Sequence, residues 1–246
     1  MLTEAVAMKP AAATAPLLQV RGLEAWYGES HVLHGIDFDV APGEVVTLLG
    51  RNGAGKTTTL KSIIGIMAKR KGSVVMAGTE TIALPSRAIA RLGIGYVPEE
   101  RGIYSSLNVE ENLMLPPQVK PGGLSVDEIF TLFPNLKERI RSQGTKLSGG
   151  EQQMLAIGRI LRTGANLLLF DEPTEGLAPV IIDQIGRTIA QLKTRGFTIV
   201  LVEQNFRFAA TVADRHYVVE QGKVVDMIPN TELDRNIDKL HGYLGV

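Results

Sequence analysis

The chain has 246 residues, enough for one large domain or two small ones with an ample core. Its 26 basic and 26 acidic residues cancel, which leaves no electrostatic case for nucleic-acid binding, and the lack of cysteine excludes disulfides and thiolate-held zinc or iron–sulfur centres. No apolar run approaches the ~18 residues of a membrane span, so any membrane role is expected to come through a partner.

Residues 1–16 are alanine-rich but interrupted by Glu4, Lys9 and Pro10. They are expected to form a disordered extension, not a signal peptide. Between residues 17 and 45 the apolar positions Leu18, Val20, Leu23, Val32, Leu33, Ile36, Phe38 and Val40 suggest half-exposed strands broken at Gly28 and Gly35. Together with Gly72–Gly78 they predict a small antiparallel sheet.

Glu44–Leu49 is short, apolar and β-branched, as a buried parallel strand requires, and Thr58–Ile64 has the apolar spacing of a helix. From about 105 to 145 the pattern is helical, with Pro/Gly breaks at 116–117 and 121–123 and one short helix at Val126–Leu132. A helix over Gln152–Leu161, a buried strand over Ala165–Phe170, a helix over Pro179–Thr194 and a strand over Phe197–Val202 continue as αβ units of a parallel sheet. No internal repeat is visible.

The turn between the first buried strand and its helix reads Gly50-Arg51-Asn52-Gly53-Ala54-Gly55-Lys56-Thr57 and fits G-x-x-x-x-G-K-[ST]. Backbone N–H groups of such a turn converge on a polyphosphate, and the helix N-terminus adds its positive dipole end. Gly50, Gly53 and Gly55 permit dihedrals and close approaches that a Cβ blocks. Lys56 is expected to reach the β- and γ-phosphates and the Thr57 hydroxyl to ligate Mg²⁺, with Thr58 also counted in the nucleotide site. The strand ending at Phe170 delivers Asp171 and Glu172 at its C-terminal end, where α/β sheets carry ligands. Asp171 suits Mg²⁺ and Glu172 suits a general base toward the attacking water, although an Asp-Glu pair before Pro173 also fits an ordinary turn. Leu147-Ser148-Gly149-Gly150-Glu151-Gln152 follows far along the chain, and its S-x-x-E spacing alone is equally that of a helix cap.

With these strings the sequence resembles the ATP-binding subunits of ABC transporters over residues 17 to about 240. The expected fold is a P-loop NTPase, a parallel α/β core with an antiparallel β subdomain and an α-helical subdomain inserted at about 100–162. Val97-Pro98-Glu99, Val109-Glu110-Glu111-Asn112-Leu113, the extended signature to Ala156, Gly176-Leu177-Ala178-Pro179 and Leu201-Val202-Glu203-Gln204-Asn205 resemble the LivF branch, an ATPase of branched-chain amino-acid importers. Urea and amide importers have similar subunits.

The resemblance implies ATP and Mg²⁺, and a head-to-tail pair in which Ser148, Gly149 and Gly150 of one subunit close over ATP held by the other. It implies two transmembrane permease subunits, a solute-binding protein acting through them, no nucleic acid, and a peripheral position on the cytoplasmic membrane face. It makes Tyr27 the ring on which adenine stacks, with core packing as the alternative, and places a permease groove at Arg101, Ile103, Tyr104 and Leu107. Two residues depart from most of the family. Glu99 stands where glutamine is usual, as a harder ligand for Mg²⁺, and Gln204 stands where histidine contacts the γ-phosphate, able to donate a hydrogen bond but not to carry charge. The readings left open are another transported solute, a soluble ABC ATPase, and a nucleotide sensor without hydrolysis. The four histidines show no metal-ligand spacing.

Overall fold

The computed structural model describes residues 15–245, so most of the extension expected at 1–16 lies outside the described residues. The chain runs through β1 (Leu18–Tyr27), β2 (Ser30–Val40), β3 (Val45–Leu49), α1 (Lys56–Ile63), β4 (Lys69–Met76), β5 (Thr79–Glu80), α2 (Ser86–Arg91) and β6 (Ile94–Val97). Four helices follow: α3 (Val109–Met114), α4 (Val126–Leu132), α5 (Pro134–Glu138) and α6 (Gly149–Leu161). The remainder is β7 (Leu167–Asp171), α7 (Pro179–Thr194), β8 (Thr198–Glu203), α8 (Phe206–Val212), β9 (Arg215–Glu220), β10 (Lys223–Pro229) and α9 (Ile237–Leu244).

Two sheets result. The larger has the order β10-β9-β3-β8-β7-β6 and is parallel except for the β10–β9 pair. Every residue of β3, β7 and β8 is buried, because helices cover one face of the sheet while α1 and the antiparallel strands β1 and β2 cover the other, leaving these strands no solvent side. The pleat divides β3 between two cores: Val45 joins the cluster containing Leu113, Ile129, Phe133 and Ile157, while Val46 and Leu48 join Leu18, Phe38 and Leu60. The smaller sheet is antiparallel in the order β2-β1-β4-β5.

Gly35 does not end a strand as its position suggested. Leu23 pairs with Ile36 and Glu24 with His34, so Gly35 is the extra residue of a bulge inside β2, with φ 98°. Helix α6 begins three residues earlier than its apolar pattern implies. The Ser148 hydroxyl accepts from the Glu151 N–H and the Glu151 carboxylate accepts from the Ser148 N–H, which closes a capping box on Gly149 and Gly150.

Candidate functional site

The loop after β3 passes close beneath β9. A Cβ on Gly50 would stand 2.3 Å from the Val219 carbonyl oxygen, so only glycine lets the chain leave the strand here. Gly55 caps α1 in a left-handed conformation (φ 107°), without a side-chain cap and without an acidic residue in the first turn. The helix N–H groups thus remain available to an anion. They open on a cavity of about 390 Å³ lined by Val32, Asn52 to Thr58, Glu99, Glu172 and Glu175.

Lys56 is buried, and its Nζ donates to the Gly50 and Arg51 carbonyls at 2.8 and 3.2 Å while standing 3.3 Å from Glu172 Oε1. In this geometry it neutralises the loop and the carboxylate together. Glu172 follows β7 with φ 47°, a left-handed conformation that is costly for a side chain with a Cβ. Its other oxygen accepts from Gln204 Nε2 at 2.7 Å. Burial alone would raise the Glu172 pKa, but hydrogen bonds from Glu175 and Gln204 and the Lys56 charge hold it below the ordinary carboxylate value. Glu175 is pushed up to about 7, chiefly by that bond to Glu172. The shared proton therefore sits on the outer carboxyl, and the inner one stays ionised as a base requires.

Asp171 is fully buried. Its Oδ1 accepts from the Thr57 hydroxyl and its Oδ2 from the Tyr96 hydroxyl, both at 2.8 Å, and burial raises its pKa against those bonds. Glu203, one residue before Gln204, accepts from the Thr174 hydroxyl at 2.8 Å. Tyr96, Glu175 and Thr174 were absent from the sequence reading. Tyr96 and Thr174 act on Asp171 and Glu203 through tertiary contact, which no local string records, while Glu175 reaches Glu172 within the turn that follows β7.

Tyr27 lies at the end of β1, half-exposed, and is not part of the cavity wall. Trp26 beside it stacks on His31, with ring centroids 4.3 Å apart. Ser148, Gly149 and Gly150 also lie outside the wall, at the start of α6. Among the residues expected at a permease groove, Tyr104 is half-exposed and Ile103 packs on the core, while Arg101 bonds to Gln152. His216 is buried between Thr47 and Asn230, and no group of three or more metal-ligating side chains occurs among the described residues.

A family model described as ABC transporter matches residues 33–175. The chain belongs to the ABC transporter family. It is the ATP-binding, ATP-hydrolysing kind of subunit. It is 43% identical over 238 residues to the high-affinity branched-chain amino acid transport ATP-binding protein BraG of Pseudomonas aeruginosa, covering 93% of this chain and 100% of that one. It is 36% identical to a probable branched-chain amino acid transport ATP-binding protein LivF of Archaeoglobus fulgidus (85% and 90% covered). Against the lipopolysaccharide export ATP-binding protein LptB of Escherichia coli the identity is 33% (93% and 97% covered). Among solved structures, an ATP-binding subunit of an ABC transporter superposes with TM-score 0.78 at 30% identity, covering 94% of this chain and all of that one. A dimeric ATP-binding cassette bound to ADP and phosphate superposes with TM-score 0.76 at 23% identity (87% and 98% covered).

Proposed function

We propose that this ABC ATPase energises an importer of branched-chain amino acids, working with a second cassette and two permease subunits at the cytoplasmic membrane face. Full-length similarity to BraG carries the choice of solute. Similarity to LptB supports a second reading, an ABC system with another cargo, because a cassette of this kind has no contact with the solute. Purification of the complex from its native membrane, followed by ATP-driven uptake of leucine, urea or an amide into vesicles, separates the two readings.

The phosphate loop holds ATP through its N–H groups and Lys56. The Thr57 hydroxyl and Asp171 carboxylate are hard oxygen donors already within 2.8 Å of each other, with Glu99 at the cavity wall, and this donor set suits Mg²⁺. When bound, the ion neutralises phosphate charge. Glu172 takes a proton from the attacking water, held in place by Gln204 and Lys56. Tyr27 offers a free ring for adenine. Ser148, Gly149 and Gly150 serve the nucleotide of the paired subunit, in keeping with the dimeric relative. A cleft of about 280 Å³, walled by Ile64, Ile66, Ala90, Tyr96, Pro117 and Val119, supports an apolar surface for a permease helix, although its wall includes none of Arg101, Ile103, Tyr104 and Leu107. A Glu172→Gln variant of the assembled transporter is expected to bind ATP but to lose at least about a hundredfold in phosphate release. Near-normal turnover would sink the role of Glu172.

A further inference from the structure

A cavity of about 680 Å³ lies between α7 and α8, larger than the phosphate cavity and sharing no wall residue with it. Its size is that of a small-molecule site. Part of its wall is apolar, formed by Ile182 from α7 and by buried Phe208 and Val212 from α8. Gly186 keeps it open. A Cβ there would stand 3.3 Å from the Phe208 ring and 3.9 Å from Val212, so a longer side chain would fill the space between the helices. Glycine inside a helix is otherwise unfavourable relative to alanine, and this one sits near the middle of α7.

The rest of the wall is charged. Asp183 and Arg187 come from α7 and Arg207 from α8, and all are exposed. Asp183 and Arg187 have the i, i+4 spacing, in the favourable order, of a helical ion pair. Yet neither of them, nor Arg207, forms an ion pair among the described residues. Two guanidiniums and one carboxylate beside an apolar wall match a ligand that carries a carboxylate, an ammonium group and an aliphatic chain.

We propose that this cavity binds an aliphatic α-amino acid, with its carboxylate on Arg187 and Arg207, its ammonium group on Asp183 and its side chain on Ile182, Phe208 and Val212. The site is placed to act on hydrolysis. α7 follows β7 and α8 follows β8, so both helices start at the edge of the sheet that carries Glu172 and Gln204. Asn205, in the cavity wall, directly follows Gln204 and caps α8 through the Phe208 N–H. A ligand that ties α7 to α8 therefore restrains the loop that holds Glu172 and slows turnover. The choice of ligand stands on the cavity wall alone. The sense of the effect, an imported product restraining its own importer, rests on the branched-chain reading above.

Calorimetric titration of the full chain with L-leucine is expected to show saturable binding with Kd of about 1 mM, as suits a small ligand held by few contacts. Isocaproate, which lacks the ammonium group, and isoamylamine, which lacks the carboxylate, should each bind about tenfold more weakly, the worth of one hydrogen bond to a charged group. Arg207→Gln and Asp183→Asn should weaken leucine binding by a similar factor. Both side chains are exposed, so melting temperature and basal ATPase should stay near wild type. In the assembled transporter, leucine at about ten times its Kd should lower kcat about fivefold, the lower end of typical coupling between sites, and Arg207→Gln should escape the effect. Inhibition that persists in Arg207→Gln would place the effect in the permease and overturn the coupling. No binding of leucine, or equal binding of isocaproate or a glutamate-rich peptide, would overturn the amino-acid site. Vesicle uptake keeps the two ideas apart. Leucine bound here in a system that imports another solute ends the branched-chain reading and leaves the site, whereas leucine uptake without binding here ends only the site.

Discussion

Gln204 Nε2 donates to Glu172 Oε2 at 2.7 Å while Lys56 approaches the other carboxylate oxygen at 3.3 Å. The side chain expected at the γ-phosphate therefore holds Glu172, the residue proposed as the base. An uncharged amide suits that task, since it fixes one oxygen by a hydrogen bond and leaves the proton affinity of the carboxylate to its neighbours. Gln204→Ala is expected to lower kcat about tenfold, the worth of one such bond, with KM for ATP little changed. Steady-state phosphate release measures both. A rise in KM alone would mean that Gln204 binds nucleotide and does not orient Glu172.

Tyr96 acts on Asp171 in the same way. Its hydroxyl donates to Oδ2 and leaves Oδ1 to Thr57. Groups that orient a metal-binding carboxylate typically contribute 10–100-fold in affinity. In Tyr96→Phe the Mg²⁺ concentration for half-maximal ATPase should rise by about tenfold, with the rate at saturating Mg²⁺ nearly restored. A metal titration that superposes on wild type would remove Tyr96 from the site.

Gly50 and Gly53 are both glycines of the phosphate loop, yet they are required for different reasons. A Cβ on Gly50 meets the Val219 carbonyl at 2.3 Å, whereas Gly53 has open space around it and is held to glycine by φ 79°. Gly50→Ala must push β9 away from the loop, an overpacking cost of about 1–3 kcal/mol. It should lower both the melting temperature and ATP binding. Gly53→Asn, which tolerates left-handed backbone, should keep the melting temperature close to wild type. Equal losses in the two variants would show that the clash with β9 is relieved cheaply.

That contrast shows where sequence reading stops. The strand before Gly50, the helix after it, and the strand that ends in Asp171 and Glu172 are legible because burial on both faces forces continuous apolar runs. Helix α7 is legible from its 3.6-residue spacing. The cavity joins Lys56, Thr57, Glu99 and Glu172, all named from local strings, but its wall also includes Glu175, and the loop that forms it leaves β3 against the Val219 carbonyl. β9 and β10 carry no motif, and their pairing with β3 and with each other is set by long-range register. Gly35 shows the same limit. A glycine between apolar residues marks either an end or a bulge, and only the partner strand decides which.

Glu203 gives a prediction that depends on pH. It is 3% exposed, and burial pushes its carboxyl up to about 7 from an ordinary value of 4.5, against the Thr174 hydrogen bond. Between those two values the folded chain keeps a proton that the unfolded chain has lost. The contribution of Glu203 to stability is thus fully present below the unfolded value and is lost as pH rises through the folded one. A difference of that size corresponds to about 3 kcal/mol. Glu203→Gln keeps an acceptor for Thr174 and cannot ionise, so its unfolding free energy should lack this slope. Urea unfolding at a series of pH values from about 5 to 8 should show the variant gaining on wild type as pH rises. Parallel stability curves across that range would mean that Glu203 is already ionised in the folded chain.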